Sequence, residues 1–143
     1  DGTILIERAM AERYEIILGG DIQEEAVRNT LSNFGNRHKP REIRHWDARN
    51  LPFESSSVNK VATNLPWGRQ FGTPDENETL YRDFLKEVDR VLSTGGTAVF
   101  LTVAWKLFKS ALKSSSSLIL TEQVQNIVVL GHRADIFVLR KWV

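Results

Sequence analysis

The chain has no cysteine and a single methionine in 143 residues. Without thiols, disulfide frameworks and thiolate-held zinc or iron–sulfur centres are excluded. Charge of one sign is also missing: 19 Lys and Arg against 18 Asp and Glu leave a net charge of +1. That balance excludes a histone-like polycation and an acidic tail, while leaving room for a local basic patch. No apolar run approaches the roughly 18 residues needed to cross a bilayer. No basic-then-apolar leader opens the sequence, so a cytoplasmic setting away from membranes is the expectation. His38, His45 and His132 are scattered without metal-ligand spacing, and no metal is expected. A Walker-type loop and a nucleophile elbow are absent as well.

What is present suits an ordinary globular chain, with 41% hydrophobic and 26% charged residues. Its length is about one domain's worth, enough to bury roughly 68–70% of the unfolded surface. Internal repeats and linkers are lacking, so a single domain over 1–143 is expected. The chain opens Asp1-Gly2-Thr3 with no initiator Met, and a Gly-Thr pair feeding a helix normally follows a strand. The expectation is that a longer protein has lost its N-terminal part.

Periodicity predicts strands and helices in alternation. A short helix is expected from Ile4 to about Tyr14, then a buried parallel strand over 15–20 closed by Gly19-Gly20. Asp21 precedes a helix over about 23–34, and Gly35 suits the left-handed residue after it. Short strands are expected over 42–46 and 58–63. Thr73-Pro74-Asp75-Glu76 reads as a capping box with proline in the first turn, opening a helix that runs towards Gly95-Gly96. An apolar strand over 97–103, a helix over 105–112 and a solvated loop over 113–117 follow. Residues 125–130 and 134–141 alternate about Gly131-His132-Arg133, the pattern of an antiparallel hairpin. The fold class is therefore α/β with a mostly parallel sheet and a C-terminal antiparallel hairpin.

Ligands of such sheets sit beyond the carboxyl ends of the strands. Asp21 ends one strand, where a carboxylate accepts both hydroxyls of a ribose; it suits a helix N-cap equally well. Asp47, in Trp46-Asp47-Ala48-Arg49-Asn50-Leu51-Pro52, is placed to accept from an adenine amine, or simply to start a turn. Asn64-Leu65-Pro66-Trp67-Gly68-Arg69-Gln70 is the most informative segment. An amide oxygen, a main-chain carbonyl and an aromatic plane together hold a planar exocyclic amine. The cations Arg37, Lys39, Arg41, Arg44 and Arg49 are diluted by Glu42 and Asp47, and a solvated face is expected ahead of a nucleic-acid contact.

On these residues the chain resembles the Rossmann-like class I S-adenosylmethionine-dependent methyltransferases. More narrowly, it is similar to the catalytic domains that accompany THUMP domains and methylate guanine N2 in tRNA or ribosomal RNA. Asp1-Gly2-Thr3-Ile4-Leu5-Ile6-Glu7 matches the second half of that family's glycine-loop pattern. Gly20-Asp21-Ile22 matches its ribose-binding strand end, Asp47-Ala48 its adenine loop, and Asn64 to Trp67 its Asn/Asp-x-Pro-aromatic motif. Tyr81, Leu92, Gly95-Gly96 and the terminal hairpin continue the likeness over nearly the whole chain. The family's first strand, the start of its glycine loop and any THUMP domain are missing, and Leu65 stands where many relatives have proline.

The resemblance implies S-adenosyl-L-methionine as cofactor, held by Gly2, Thr3, Asp21, Ile22, Asp47, Ala48 and Asn64. It implies Asn64, Leu65, Pro66 and Trp67 as the catalytic set, an RNA substrate as partner, and an N-terminal RNA-binding domain outside this chain. The expected activity is RNA N-methylation, with guanine N2 ahead of adenine N6 or a glutamine amide. A non-catalytic RNA-binding module of the same fold is the alternative from another class, and it would show salt-dependent RNA affinity without binding the cofactor. A nicotinamide oxidoreductase is a third, but the asparagine motif has no role there.

Overall fold

A computed structural model describes residues 2–65 and 74–142, with only the backbone of 74–76. The chain divides into two compact units, Asp1–Pro52 and Phe53–Val143. The first holds helix α1 (Thr3–Ala11), strand β1 (Ile17–Asp21), helix α2 (Glu24–Phe34) and strand β2 (Arg41–His45). The second holds β3 (Val58–Asn64), α3 (Pro74–Val91), β4 (Leu92–Thr102), α4 (Trp105–Leu112), β5 (Leu118–Val129) and β6 (His132–Lys141).

In the first unit β1 and β2 pair in parallel, Ile17 opposite Arg41 and Asp21 opposite His45. Their inward residues Ile17 and Ile43 meet Val27 and Phe34 of α2, with Leu5, Ile6, Ala9 and Tyr14 packed alongside. Gly19 leaves room for both neighbours, because a Cβ on it would lie 2.9 Å from Ile43 Cδ1 and press on the end of the Leu5 side chain, so both would have to shift. A Cβ on Gly20 would likewise collide with the Trp46 indole. The paired glycines thus let a helix and an aromatic ring close on the strand. The helix expected to run to Tyr14 ends at Ala11, and Gly2 stands before it in the left-handed region with φ 81°.

The second unit is a four-stranded mixed sheet in the order β3-β4-β6-β5. β3 and β4 are parallel, whereas β6 runs antiparallel to both β4 and β5. Two antiparallel ladders therefore accompany the two parallel ones, a larger antiparallel share than alternation alone suggested. α3 buries Tyr81, Phe84, Leu85, Val88 and Val91, the three- and four-residue spacing that predicted it. Phe108 of α4 has no exposed surface and lies 4.5 Å from Phe137 and 5.3 Å from Phe100 between ring centroids. Burying a ring of that size is worth roughly 1.5–3 kcal/mol. α4 falls on the predicted residues, 105–112.

β4 and β5 depart furthest from their predicted bounds. β4 begins at Leu92, directly after α3, and takes in Ser93 to Gly96, with its register against β3 shifting between Val58 and Lys60. The glycines expected to end a helix instead sit inside an irregular strand, Gly95 at φ 81°. β5 begins at Leu118, not 125: the ladder steps over Thr121, so polar Glu122 and Gln123 stay paired with β6, and a second shift follows between Val124 and Ile127. Its turn to β6 is Leu130-Gly131, both at positive φ (48° and 79°), as a two-residue hairpin loop demands.

Candidate functional site

Asp21 is the last residue of β1, not the helix cap: Gln23 occupies the N-cap of α2 and makes no side-chain capping bond. Instead Asp21 Oδ1 accepts the Gln23 N–H at 2.9 Å, an Asx turn that aims the carboxylate off the strand end. Among the described residues its Oδ2 takes no hydrogen bond. Ile22 follows with 58% of its surface exposed, an apolar ledge beside a carboxylate. The Ile22 carbonyl receives His45 Nε2 at 2.7 Å, and the Trp46 N–H donates to the Asp21 carbonyl at 3.1 Å. The ends of β1 and β2 are thereby tied together, with the Trp46 indole against Gly20. From the sequence His45 was one of three scattered histidines and Trp46 only the residue before Asp47, with no role at the site given to either; a glycine pair beside an aromatic two residues beyond its register partner is the signal that could have found Trp46.

Asp47 opens a turn whose Asn50 N–H returns to its carbonyl at 2.9 Å. Its side chain arrives engaged. Arg49 donates its backbone N–H to Oδ1 at 2.9 Å, its Nε to Oδ1 at 3.0 Å and its Nη2 to Oδ2 at 2.7 Å. Those bonds, the side-chain ones foremost, hold the Asp47 carboxyl below the ordinary carboxylate range. Ala48, half-buried, sits within the same turn. Gly2 and Thr3 lie at the start of α1, where a Cβ on Gly2 would come 2.6 Å from Thr30 Cγ2 and so press into α2.

In the second unit the carboxyl end of β3 is Asn64, opposite Leu101 of β4. Its side chain is exposed and makes no hydrogen bond among the described residues. The next residue is the reverse: Leu65 is buried and donates its N–H to the Leu101 carbonyl at 2.9 Å. An anchored residue thus holds a free carboxamide at the sheet edge. Pro66 and Trp67 lie outside the described residues, as do Gly68, Arg69, Gln70 and the Thr73 of the expected capping box.

The same edge carries a polar group that sequence reading missed. Asp135, opposite Thr102 at the start of β6, is fully buried. Burial alone would raise its carboxyl, but Arg133, Gln123 Nε2 (2.9 Å) and the Asn126 N–H (3.2 Å) together hold it below the ordinary value. Thr102 Oγ1 accepts the Ala104 N–H at 3.0 Å and lies 3.0 Å from the Tyr81 hydroxyl, whose pKa burial pushes up. Among the described residues no three His, Asp or Glu side chains group as a metal site, and no helix is long and apolar enough to cross a membrane.

This architecture is that of the class I S-adenosylmethionine-dependent methyltransferases. TrmN from Thermus thermophilus superposes with a TM-score of 0.77 at 23% identity, covering 98% of this chain and 48% of that one. A geranyl diphosphate methyltransferase in complex with SAM superposes at 0.72 with 11% identity, covering 98% of this chain and 74% of its own. Residues 1–131 match UPF0020, the RMKL-like methyltransferase domain family, and the chain belongs to it.

Curated relatives include the human tRNA (guanine(6)-N(2))-methyltransferase THUMP3, 36% identical over 96% of this chain. The mouse protein of that name is 28% identical over 98%. A bovine U6 snRNA (guanine-N(2))-methyltransferase, THUMPD2, is 30% identical over 70%. The chain spans 30% of the length of the human and mouse proteins.

Proposed function

We propose that this chain is the catalytic domain of an RNA guanine-N2 methyltransferase that draws its methyl group from S-adenosyl-L-methionine, and that the two compact units are parts of that one domain. The observation that carries the reading is Asn64: an exposed carboxamide without a protein partner among the described residues, at the carboxyl end of a parallel strand, beside an anchored Leu65. The family match across both units and the guanine-N2 names of the relatives support it.

When bound, the cofactor supplies an electrophilic sulfonium methyl. What the chain contributes is position and charge. Asp21 Oδ2 and the exposed face of Ile22 fit a ribose and the edge of a purine, so they would hold the nucleoside. Asp47 would accept the adenine amine once Arg49 gives way, since both oxygens of its carboxylate already receive N–H groups of Arg49, the Nε–H shared between them. Asn64 Oδ1 and the Leu65 carbonyl would accept the two hydrogens of the guanine amine. Methyl transfer would form the nitrogen–carbon bond as the methyl–sulfur bond breaks and leaves S-adenosylhomocysteine, and the nitrogen would then lose one hydrogen as a proton. Because those hydrogens would grow more acidic on the way, both hydrogen bonds would strengthen in the transition state. Trp67 would stack the base withdrawn from its neighbours.

Titration of the full-length protein with S-adenosylhomocysteine tests the cofactor half. Asp21→Ala should weaken binding by roughly 1.5–3 kcal/mol, the loss expected for a hydrogen bond to a charged group. Unchanged affinity would remove Asp21 from the site.

A further inference from the structure

Although the net charge is only +1, residues 90–121 contain Arg90, Lys106, Lys109 and Lys113 and not one Asp or Glu. Arg90 is neutralised by Glu87, Nε to Oε1 at 2.8 Å. The lysines are different. Spacings of three and four residues align them along one face of α4 and its C-terminal extension, opposite the fully buried Phe108 and Ala111. Among the described residues none of the three forms an ion pair. The stripe is about 10 Å long at the helical rise per residue. That length faces about three phosphates at the axial spacing of one duplex strand.

At the N-terminal end of the stripe stands a stacked group. The Arg133 guanidinium lies 4.0 Å from the Trp105 ring centroid, and Lys106 Nζ lies 5.2 Å from it. Arg133 is fixed by buried Asp135, its Nε on Oδ1 at 3.2 Å and its Nη2 on Oδ2 at 3.3 Å. Nη1 makes no hydrogen bond among the described residues. Register places this group at the edge where Asn64 ends: Asn64 faces Leu101, Thr102 faces Asp135, and α4 begins at Trp105. β3 and β6 flank β4, so their backbones are about 10 Å apart there.

We propose that α4 is a phosphate-binding rail for the substrate RNA, with Lys106, Lys109 and Lys113 on the backbone and Arg133, stacked on Trp105, gripping the strand where it reaches Asn64. This rests on the RNA reading above. Repeated like charges without acidic partners complement a polyanion. An anionic bilayer is the poorer fit, because an interfacial helix must bury its apolar face in lipid, and that of α4 is spent on Phe100 and Phe137.

The test uses the full-length protein carrying Lys106→Gln, Lys109→Gln and Lys113→Gln together, titrated with an unmodified tRNA transcript between about 50 and 200 mM salt. Each lost phosphate contact removes about 0.7–0.9 from the slope of log affinity against log salt, so the triple variant should lose about 2–3. The matching triple arginine variant should keep the wild-type slope, and S-adenosylhomocysteine affinity should not change in either. A wild-type slope in the glutamine variant, with RNA binding intact, overturns the rail alone. Wild-type protein that binds S-adenosylhomocysteine but no RNA overturns the rail and the RNA reading together. Both variants are also titrated with phosphatidylserine vesicles, and a loss confined to those vesicles, with the RNA slope unchanged, overturns the rail in favour of a membrane contact.

Discussion

Two stretches of the chain are rich in cations, and they have opposite fates. In 37–49 the arginines are consumed locally. Arg37 Nη2 donates to the Asn33 carbonyl at 2.8 Å, and Arg41 Nη1 to the Arg37 carbonyl at 2.8 Å. Arg44 pairs with Glu42 at 3.1 Å and Arg49 with Asp47 at 2.7 Å. Along α4 no lysine forms an ion pair among the described residues. The guanidinium fork finds carbonyls and carboxylates within a few residues, whereas an ammonium on a helix without acids three or four residues away has no such outlet. A density of positive charge in sequence therefore says little about binding. What counts is whether the partners of those charges are internal.

The same contrast separates Asp47 from Asn64, because Asp47 is already bonded and Asn64 makes no hydrogen bond among the described residues. Breaking the unbonded one should matter most. Asn64→Ala in the full-length protein should slow single-turnover methyl transfer by about 10²–10³, the usual cost of one preorganised transition-state partner, with cofactor affinity held. Near-normal turnover would reduce Asn64 to a loop residue. A smaller effect, of opposite sign, is expected on the bonded side. Arg49→Ala frees the Asp47 carboxylate, so S-adenosylhomocysteine should bind a few-fold more tightly, an exposed ion pair being worth about 0–1 kcal/mol. A tenfold weaker complex would instead place Arg49 in the site. Least of all should change in Arg37→Gln with Arg44→Gln, whose salt slope for RNA should match wild type to within about 0.5. A drop as large as that of the lysine triple would erase the distinction between the two stretches.

How much of this could be read from residues alone differs by region. Elements with one buried stripe, α3 and α4, were legible because tertiary packing and local periodicity demand the same pattern. β5 was not, since its bulges break the alternation that marks a strand, and Thr121 to Gln123 look like a loop. Asp21 and Asn64 were legible as strand-end polar residues. The saturation of Asp47 was hidden, because Arg49 is adjacent in any conformation and only the turn brings its fork onto both oxygens. Asp135 was invisible for a related reason: its hydrogen-bond partners Gln123 and Asn126 come from the other arm of a hairpin whose turn was expected one residue later.

The bulges of β5 carry a consequence for how the protein behaves in a crowd. A 12-residue edge strand with Ile119, Leu120, Val124 and Val128 exposed is a template for a foreign strand. Its register breaks between Leu120 and Glu122, and again between Val124 and Ile127, where Asn126 turns to φ 61°. An incoming segment would find only short unbroken runs of outward amide and carbonyl groups, well below the six or seven residues that stacked aggregates favour. The irregularity that concealed this strand in the sequence is thus also its defence against polymerisation, and straightening either bulge by a one-residue deletion would convert a guarded edge into a nucleating one.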